Sequence, residues 1–235
     1  MAEVLATLYL IFTEGYAATA GDALVRADLC GEAIRLGRLA DGLLPGRADV
    51  RGLLALMLLH HARRAGRAGP AGELVLLADQ DRRLWDAEAI AEGLALVEQA
   101  LRQPGLPDPY AVQAAIAALH CRAREAADTD WRQIAGLYEV LLRLAPTPVI
   151  ELNHAVAVAM IDGPARGLDL LDALTARGTL AGYALLPAAR ADLLGRLGRA
   201  PEAAAAYDLA ASLSRLEPER RFYAARRDQF GLCGG

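Results

Sequence analysis

Apolar residues recur every three or four positions along most of the chain, and Gly or Pro interrupts this pattern at intervals. Such a spacing places apolar side chains on one face of an α-helix. In the first such segment, Leu5, Leu8 and Phe12 share a face. The pattern predicts four helices in the first part of the chain: about residues 3–12, a second helix that ends near Leu44 and has Asp22 as a candidate N-cap, residues 49–64 and residues 86–103.

A different kind of segment separates the third and fourth predicted helices. Residues 65–72 are rich in Gly and Pro, and they are followed by a short apolar run, residues 73–77, and a densely charged stretch, residues 78–86. Trp85 and the leucines of this segment require burial. We therefore expect residues 73–86 to form an ordered connector between helices rather than a solvated linker. This segment is called the charged connector below.

The second half of the chain repeats itself with a period of 33 to 36 residues. Alignment of the two clearest copies pairs Ala155 with Ala191 and Leu171 with Tyr207, and a third half-copy places Tyr138 33 residues before Leu171. Small residues stand where two helices would cross, and Tyr or Leu stands on the second helix. This pattern resembles the tetratricopeptide repeat, in which each antiparallel helix pair packs on the next pair.

The composition favours the same fold. Hydrophobic residues make up 54% of the chain and aromatic residues only 5%, and the excess is mainly Ala and Leu, the two best apolar helix formers. The scarcity of β-branched and aromatic residues disfavours a sheet-rich fold. We predict an all-α fold of antiparallel helix pairs in a tetratricopeptide-like solenoid or bundle. A helical half, residues 1–108, is expected to pack on the repeat half, residues 109–235, in one continuous domain.

Charge and cysteine content narrow the function classes. The net charge is −4, and the arginines are scattered among nearly equal numbers of acids, so direct nucleic-acid binding by this segment is disfavoured.

The longest dense apolar run, residues 53–59, is far shorter than the roughly 20 residues of a membrane span. The start of the chain lacks the basic residues of a signal peptide. The three cysteines, Cys30, Cys121 and Cys233, are widely spaced, which indicates no disulfide framework and fits a reducing cytoplasm.

The order of several sequence blocks adds a resemblance to a known family. Part of the charged connector, residues 77–85, reads Leu-Ala-Asp-Gln-Asp-Arg-Arg-Leu-Trp. This block and six other sequence blocks occur in a fixed order along the chain. Together they resemble the C-terminal extension of bacterial extracytoplasmic-function (ECF) sigma factors that carry a tetratricopeptide-like domain. The resemblance runs from about Val4 to Phe230. The other blocks are residues 8–17, 24–36, 53–60, 113–120, 129–134 and 152–157.

This resemblance implies a regulatory role in transcription initiation. The expected partners are the promoter-reading domains of the sigma factor, core RNA polymerase or a small cytoplasmic protein. The two DNA- and polymerase-binding domains of such sigma factors are not found in the sequence, so we expect an excised domain or a natural fragment, without sigma activity of its own. A free-standing helical adaptor with no transcriptional role is the alternative hypothesis.

The candidate interaction surface is the charged connector. Acidic and basic residues beside a Trp are typical of protein interfaces, in which Trp and Arg are frequent anchors. The opposing interpretation is a structural clasp, in which Asp81 caps the following helix and the arginines pair internally. Arg190 is a second candidate, with other arginines that would line a concave or end surface or form a solvated face. The predicted interaction residues are Asp79, Gln80, Asp81, Arg82, Trp85 and Arg190.

The sequence predicts no catalysis, cofactor or metal. No nucleophile stands beside a base, and no phosphate-binding glycine motif is present. His60 and His61 are adjacent, so on a helix they point about 100° apart and cannot easily share an ion. Glu14 and Arg26 are expected to form an ion pair if the loop between them folds back. A helical hydrolase or isomerase would instead need a deep polar pocket with a strongly perturbed titrating group.

Overall fold

A computed structural model of the chain describes residues 1–16 and 26–231, and within these residues the fold is all-α. The predicted fold class, packed helix pairs without strands, is confirmed. The α-helices are α1 Ala2–Tyr16, α2 Ala27–Leu43, α3 Ala48–His61, α4 Ala87–Leu101, α5 Pro109–Arg122, α6 Trp131–Leu144, α7 Pro148–Asp162, α8 Pro164–Arg177, α9 Leu185–Arg196, α10 Ala200–Leu213 and α11 Glu217–Gly231.

The chain divides into two compact units, whose boundary lies between Asp130 and Trp131. Helix α5 belongs to the first unit, where it packs against α3 and α4. The boundary predicted from the sequence, between residues 108 and 109, lies at the start of this helix.

The first unit is organised around α3. This helix contacts α1, α2, α4 and α5, and its run Leu53–Leu59 is buried on all sides. A helix that is apolar all round is typical of the centre of a protein core, which explains why this run lacks the polar face of its neighbours. On α1, the predicted face of Leu5, Leu8 and Phe12 is buried as expected.

The junction between α1 and α2 closes through backbone and side-chain contacts. The backbone N–H of Arg26 donates to the carbonyl of Gly15 at 2.7 Å. The guanidinium of Arg26 lies 3.9 Å from the carboxylate of Glu14, so the predicted ion pair is present. Asp22, the predicted N-cap of α2, lies outside the described residues, and α2 begins after Arg26 without a side-chain cap.

In the second unit each helix from α6 to α11 packs against the next one along the chain. The two aligned copies correspond to the pairs α7–α8 and α9–α10. Ala155 and Ala191, both 0% exposed, occupy equivalent positions, and so do the buried Leu171 and Tyr207. The alignment at a period of 36 residues therefore pairs positions that are buried in the same way, in addition to residues of similar type.

The two copies carry their glycine on different helices, and each glycine meets a different neighbour. In the first copy, Gly167 on α8 lies so close to Ala159 on α7 that a Cβ on Gly167 would come within 2.4 Å of the Ala159 Cβ. In the second copy the equivalent positions hold Ala203 and Gly195, so the glycine is on the first helix. There, a Cβ on Gly195 would meet the ring of Phe230 of α11 at 2.4 Å.

Candidate functional site

The charged connector links α3 to α4 as an ordered, largely non-helical segment. After α3 the chain forms a short hairpin, in which Ala68 pairs with Leu74 across an isolated antiparallel bridge. Two single 3-10 turns follow, Leu77–Asp79 and Arg82–Leu84. The connector ends at Asp86, whose carboxylate caps α4 by accepting a hydrogen bond from the backbone N–H of Ala89 at 3.0 Å.

Trp85 anchors this segment in the first unit. Its side chain is 7% exposed, in agreement with the expectation that the connector is ordered. A Cβ on Gly66 would lie 3.1 Å from the indole Nε1 and 3.5 Å from Oε1 of Gln80. Glycine at position 66 therefore lets the backbone approach the edge of the indole.

Arg82 joins the connector to the end of α5. Its guanidinium lies over the indole of Trp85, 4.6 Å from the ring centroid. Its Nη1 donates hydrogen bonds to the carbonyl oxygens of His120 at 2.6 Å and Ala123 at 2.8 Å. These carbonyls belong to the last turn and the C-cap of α5, where backbone acceptors lack partners within the helix. Arg82 thus stabilises the helix end and fixes the connector on it.

Asp81 and Arg83 form a local pair. The Asp81 carboxylate accepts from the backbone N–H of Arg83 at 3.0 Å, which caps the 3-10 turn, and also from the Arg83 guanidinium. This pairing holds the pKa of Asp81 below its ordinary value. The interpretation as a structural clasp agrees with the structure in part. Asp81 caps the short 3-10 turn, but α4 is capped by Asp86 and not by Asp81. Asp79 and Arg83 are exposed at the surface of the connector.

The sequence interpretation missed a buried cation behind the connector. Arg63 is 5% exposed and lies 6.0 Å from the Trp85 ring centroid. Its Nη2 lies 2.7 Å from Nδ1 of His60 and donates to the Tyr16 hydroxyl at 3.4 Å. Among the described residues no carboxylate pairs with it. The only available signal was its place directly after the buried run of α3.

The neighbouring histidines are held neutral by this arrangement. Burial, with the charges of Arg63 and Arg82, lowers the pKa of His120 to about 4. The pKa of His60 is lowered well below its ordinary value, chiefly by burial and further by Arg63. His60 packs its ring edge-on to Tyr16, with centroids 4.9 Å apart. The environment therefore disfavours additional positive charge inside the unit.

Polar atoms without partners concentrate around the connector. Within residues 1–16 and 26–231, six buried side-chain N or O atoms lack a hydrogen-bond partner, and four of them surround this segment. Burial of an unpaired polar group costs free energy. The four atoms are His61 Nδ1, Arg63 Nε, Gln80 Oε1 and Trp85 Nε1.

An open cleft separates the connector from the turn after α5. Its volume is about 350 Å³. The 3-10 turn Ala126–Asp128 follows the turn residues, and the Asp128 carboxylate accepts a hydrogen bond from the backbone N–H of Glu125 at 3.2 Å. The charged lining residues are Asp81, Arg82, Arg83, Arg124 and Glu125.

Arg190, the candidate in the second unit, forms a surface ion pair with Asp172 at 2.7 Å. It stands at the edge of a mostly apolar pocket of about 230 Å³. Four other arginines of the predicted surface lie on α11. Three of them, Arg220, Arg221 and Arg227, form ion pairs with acidic neighbours. The fourth, Arg226, lies over the ring of Phe222. The structure does not bring Arg190 together with the connector residues into one site within either unit.

Residues 1–16 and 26–231 contain no group of three or more His, Cys, Asp or Glu side chains arranged to hold a metal ion. In the same ranges, no helix combines the length and the apolar character needed to cross a membrane.

Comparison with known proteins gives similarity without an assigned activity. Residues 1–101 match the model of a family of unknown function (DUF6596), and this stretch includes the connector. Over 214 residues, 91% of this chain, the sequence is 48% identical to an uncharacterized protein of Rhizobium meliloti (strain 1021). The matched segment covers 50% of that protein. The chain therefore spans about half the length of the curated relative that it matches.

Proposed function

We propose that this chain is a regulatory protein-interaction domain of a bacterial ECF sigma factor. It modulates transcription initiation by contacting the promoter-reading domains, core RNA polymerase or a small partner protein. Support comes from the ordered sequence blocks that resemble the C-terminal extension of such factors, and from the helix pairs of the second unit. Stacked helix pairs commonly serve as protein-binding scaffolds.

The observation that carries this proposal is the construction of the connector. Arg82 fixes it on the end of α5 and stacks on the buried Trp85, and Asp79 and Arg83 are exposed on its surface. A loop held rigidly with exposed charges of both signs binds a partner with little loss of conformational entropy. Arg82 and Trp85 position this surface, and Asp79 and Arg83 are the residues that contact the partner.

The length of the relative is compatible with this proposal. The Rhizobium meliloti protein is about twice as long as its matched segment, which leaves room in that protein for further domains. The proposed role assigns no catalytic step, cofactor or direct nucleic-acid contact to this chain. It places the chain in the cytoplasm, where sigma factors meet RNA polymerase.

A binding titration tests the proposal. The labelled chain is titrated with core RNA polymerase and, separately, with the promoter-reading domains of its cognate sigma factor. Saturable binding to either partner is expected, and the double charge reversal Asp79→Arg/Arg83→Glu should weaken it at least tenfold, as loss of a central charged contact does. The matched control is Asp169→Arg/Arg166→Glu, which reverses two exposed charges on α8 and should leave binding unchanged.

Absence of binding to both partners would overturn the sigma-factor role and leave the free-standing adaptor. Equal weakening by the control pair would instead show that the contact is a general effect of charge, which would remove the connector as the docking surface.

A further inference from the structure

The cleft beside the connector carries an excess of positive charge. Three guanidinium groups and two carboxylates line it. The Asp81 carboxylate already pairs with Arg83, with Oδ2 2.8 Å from Nη2. The Glu125 side chain is exposed and adds one negative charge to the lining. The Asp81–Arg83 pair is neutral overall, so the charges of Arg82, Arg124 and Glu125 leave a net excess of one positive charge in the lining.

Arg82 lines this cleft and has N–H donors without a partner in the described part of the chain. A guanidinium has five N–H groups, and both hydrogen bonds of Arg82 to the end of α5 come from Nη1. Within the described part of the chain no ion pair or hydrogen bond engages its Nε or Nη2. The indole of Trp85 and the α5 carbonyls hold the guanidinium in one place, so these donors are preorganised for an acceptor.

Arg124 supplies the second charge from the opposite wall. It is exposed, and among residues 1–16 and 26–231 no carboxylate forms an ion pair with it. Behind Arg82 stands the buried Arg63, which faces Trp85 and no acid. Burial and the charge of Arg63 lower the pKa of Arg82, whereas Cys121 and the Asp128 carboxylate act in the opposite direction. A further negative charge beside Arg82 would offset the repulsion between the two arginines.

We infer that this cleft, between Arg82 on the connector and Arg124 on the turn after α5, binds an oxyanion. The chemical class is a carboxylate or a phosphate, which matches the planar fork of an arginine. A volume of about 350 Å³ lies within the range of small-ligand pockets. The source is either the acidic side chains of a protein or a free phosphate compound. This inference does not require the proposed role in transcription.

Fluorescence of Trp85 tests the inference directly. The chain has two tryptophans, so Trp131→Phe leaves Trp85 as the only indole, with Arg82 stacked on it. This variant is titrated with sodium phosphate and, separately, with a blocked hexaglutamate peptide, at constant ionic strength. We expect a saturable change in emission, with a dissociation constant no weaker than the millimolar range.

A surface substitution supplies the decisive comparison. Arg124→Gln removes an exposed side chain without a partner in the described structure, so folding should be unaffected, and it should weaken anion binding roughly five- to tenfold. Arg35→Gln is the control, because Arg35 is exposed, pairs with Glu32 and does not line the cleft. It should leave the affinity unchanged.

Each outcome decides the matter. Tighter binding of the peptide than of phosphate identifies acidic protein segments as the source, and the reverse identifies a free phosphate compound. No saturable change with either probe up to roughly 10 mM, ten times a millimolar dissociation constant, overturns the inference. Equal affinity in Arg124→Gln also overturns it. Failure of the polymerase titration leaves this result untouched, since neither probe contains a transcription protein.

Discussion

The guanidinium of Arg82 lies over the indole of Trp85 at 4.6 Å and at the same time donates to two carbonyl oxygens at the end of α5. One side chain therefore links three parts of the first unit: the connector, its aromatic anchor and a helix 38 residues further along the chain. This link yields the first stability prediction.

Arg82→Ala should destabilise the protein, whereas Arg83→Ala should not. The first change removes charge-assisted hydrogen bonds to two partly buried carbonyls and a cation–π contact, and we expect a loss of about 2 kcal/mol in the free energy of unfolding. Arg83 is 89% exposed and pairs only with Asp81, so its loss should leave the free energy of unfolding nearly unchanged, because exposed ion pairs contribute little. Urea denaturation of both variants measures the difference, and equal effects would contradict the clasp.

Gly167→Ala should destabilise the second unit. The added Cβ would meet the Ala159 Cβ at 2.4 Å and the Ala155 carbonyl at 2.9 Å, and overpacking of this kind costs about 1–3 kcal/mol. The double variant Ala159→Gly/Gly167→Ala copies the arrangement of the next repeat and should recover part of the loss. Thermal denaturation followed by circular dichroism gives both values.

The control for this prediction lies on α6. Gly136 has nothing within 4 Å of the position of an added Cβ. Gly136→Ala should therefore raise stability by about 0.5–1 kcal/mol through its higher helix propensity. A destabilised Gly136→Ala variant would show that the geometry of α6 is not as described.

Stability should fall as the pH is lowered from about 6.5 towards about 4. Burial, together with Arg63 and Arg82, lowers the pKa of His120 from 6.5 to about 4 in the folded protein. The unfolded chain therefore takes up a proton at higher pH than the folded one, so acid favours unfolding, by up to roughly 3 kcal/mol for this group. His120→Asn should reduce the dependence of the unfolding free energy on pH between about pH 6.5 and about pH 5. Part of that dependence should remain, because the pKa of His60 is lowered as well. An unchanged slope would contradict this assignment.

Cys30 and Cys121 should resist thiol reagents in the native protein. Burial raises the pKa of Cys30 to about 11, and its side chain is 0% exposed. Burial also raises the pKa of Cys121. At pH 8 about one Cys30 in a thousand would be a thiolate even if it were accessible. In a Cys233→Ser background, Ellman's reagent should react slowly with the native chain and promptly with two thiols in denaturant. Fast native reaction would contradict the burial.

Local patterns in the sequence determine most of the fold described here. The spacing of Leu5, Leu8 and Phe12 predicted which face of α1 is buried, because a helix places those positions together. The 36-residue alignment likewise predicted that Ala155 and Ala191 occupy equivalent places, since close helix crossings admit only small side chains.

The sequence indicated which segment holds the candidate site, but it did not indicate which contacts between distant residues form that site. Trp85 needed burial and was predicted to order its segment. Its neighbour Arg82 reaches carbonyls of His120 and Ala123, and no local pattern indicates which helix end lies within range of a given arginine. Arg63 was missed for the same reason: in the sequence it is one of many arginines, and only tertiary packing places it in the interior without a carboxylate partner.

The contact between Gly195 and Phe230 makes the two repeat copies unequal as building blocks. In the last copy, the absent side chain at position 195 forms a notch that the aromatic ring of α11 fills. The preceding copy holds Ala159 at the equivalent position, where a methyl group would occupy that notch. An alanine at position 195 would require the Phe230 ring to move, so the α9–α10 copy is fitted to α11 in a way that the α7–α8 copy is not.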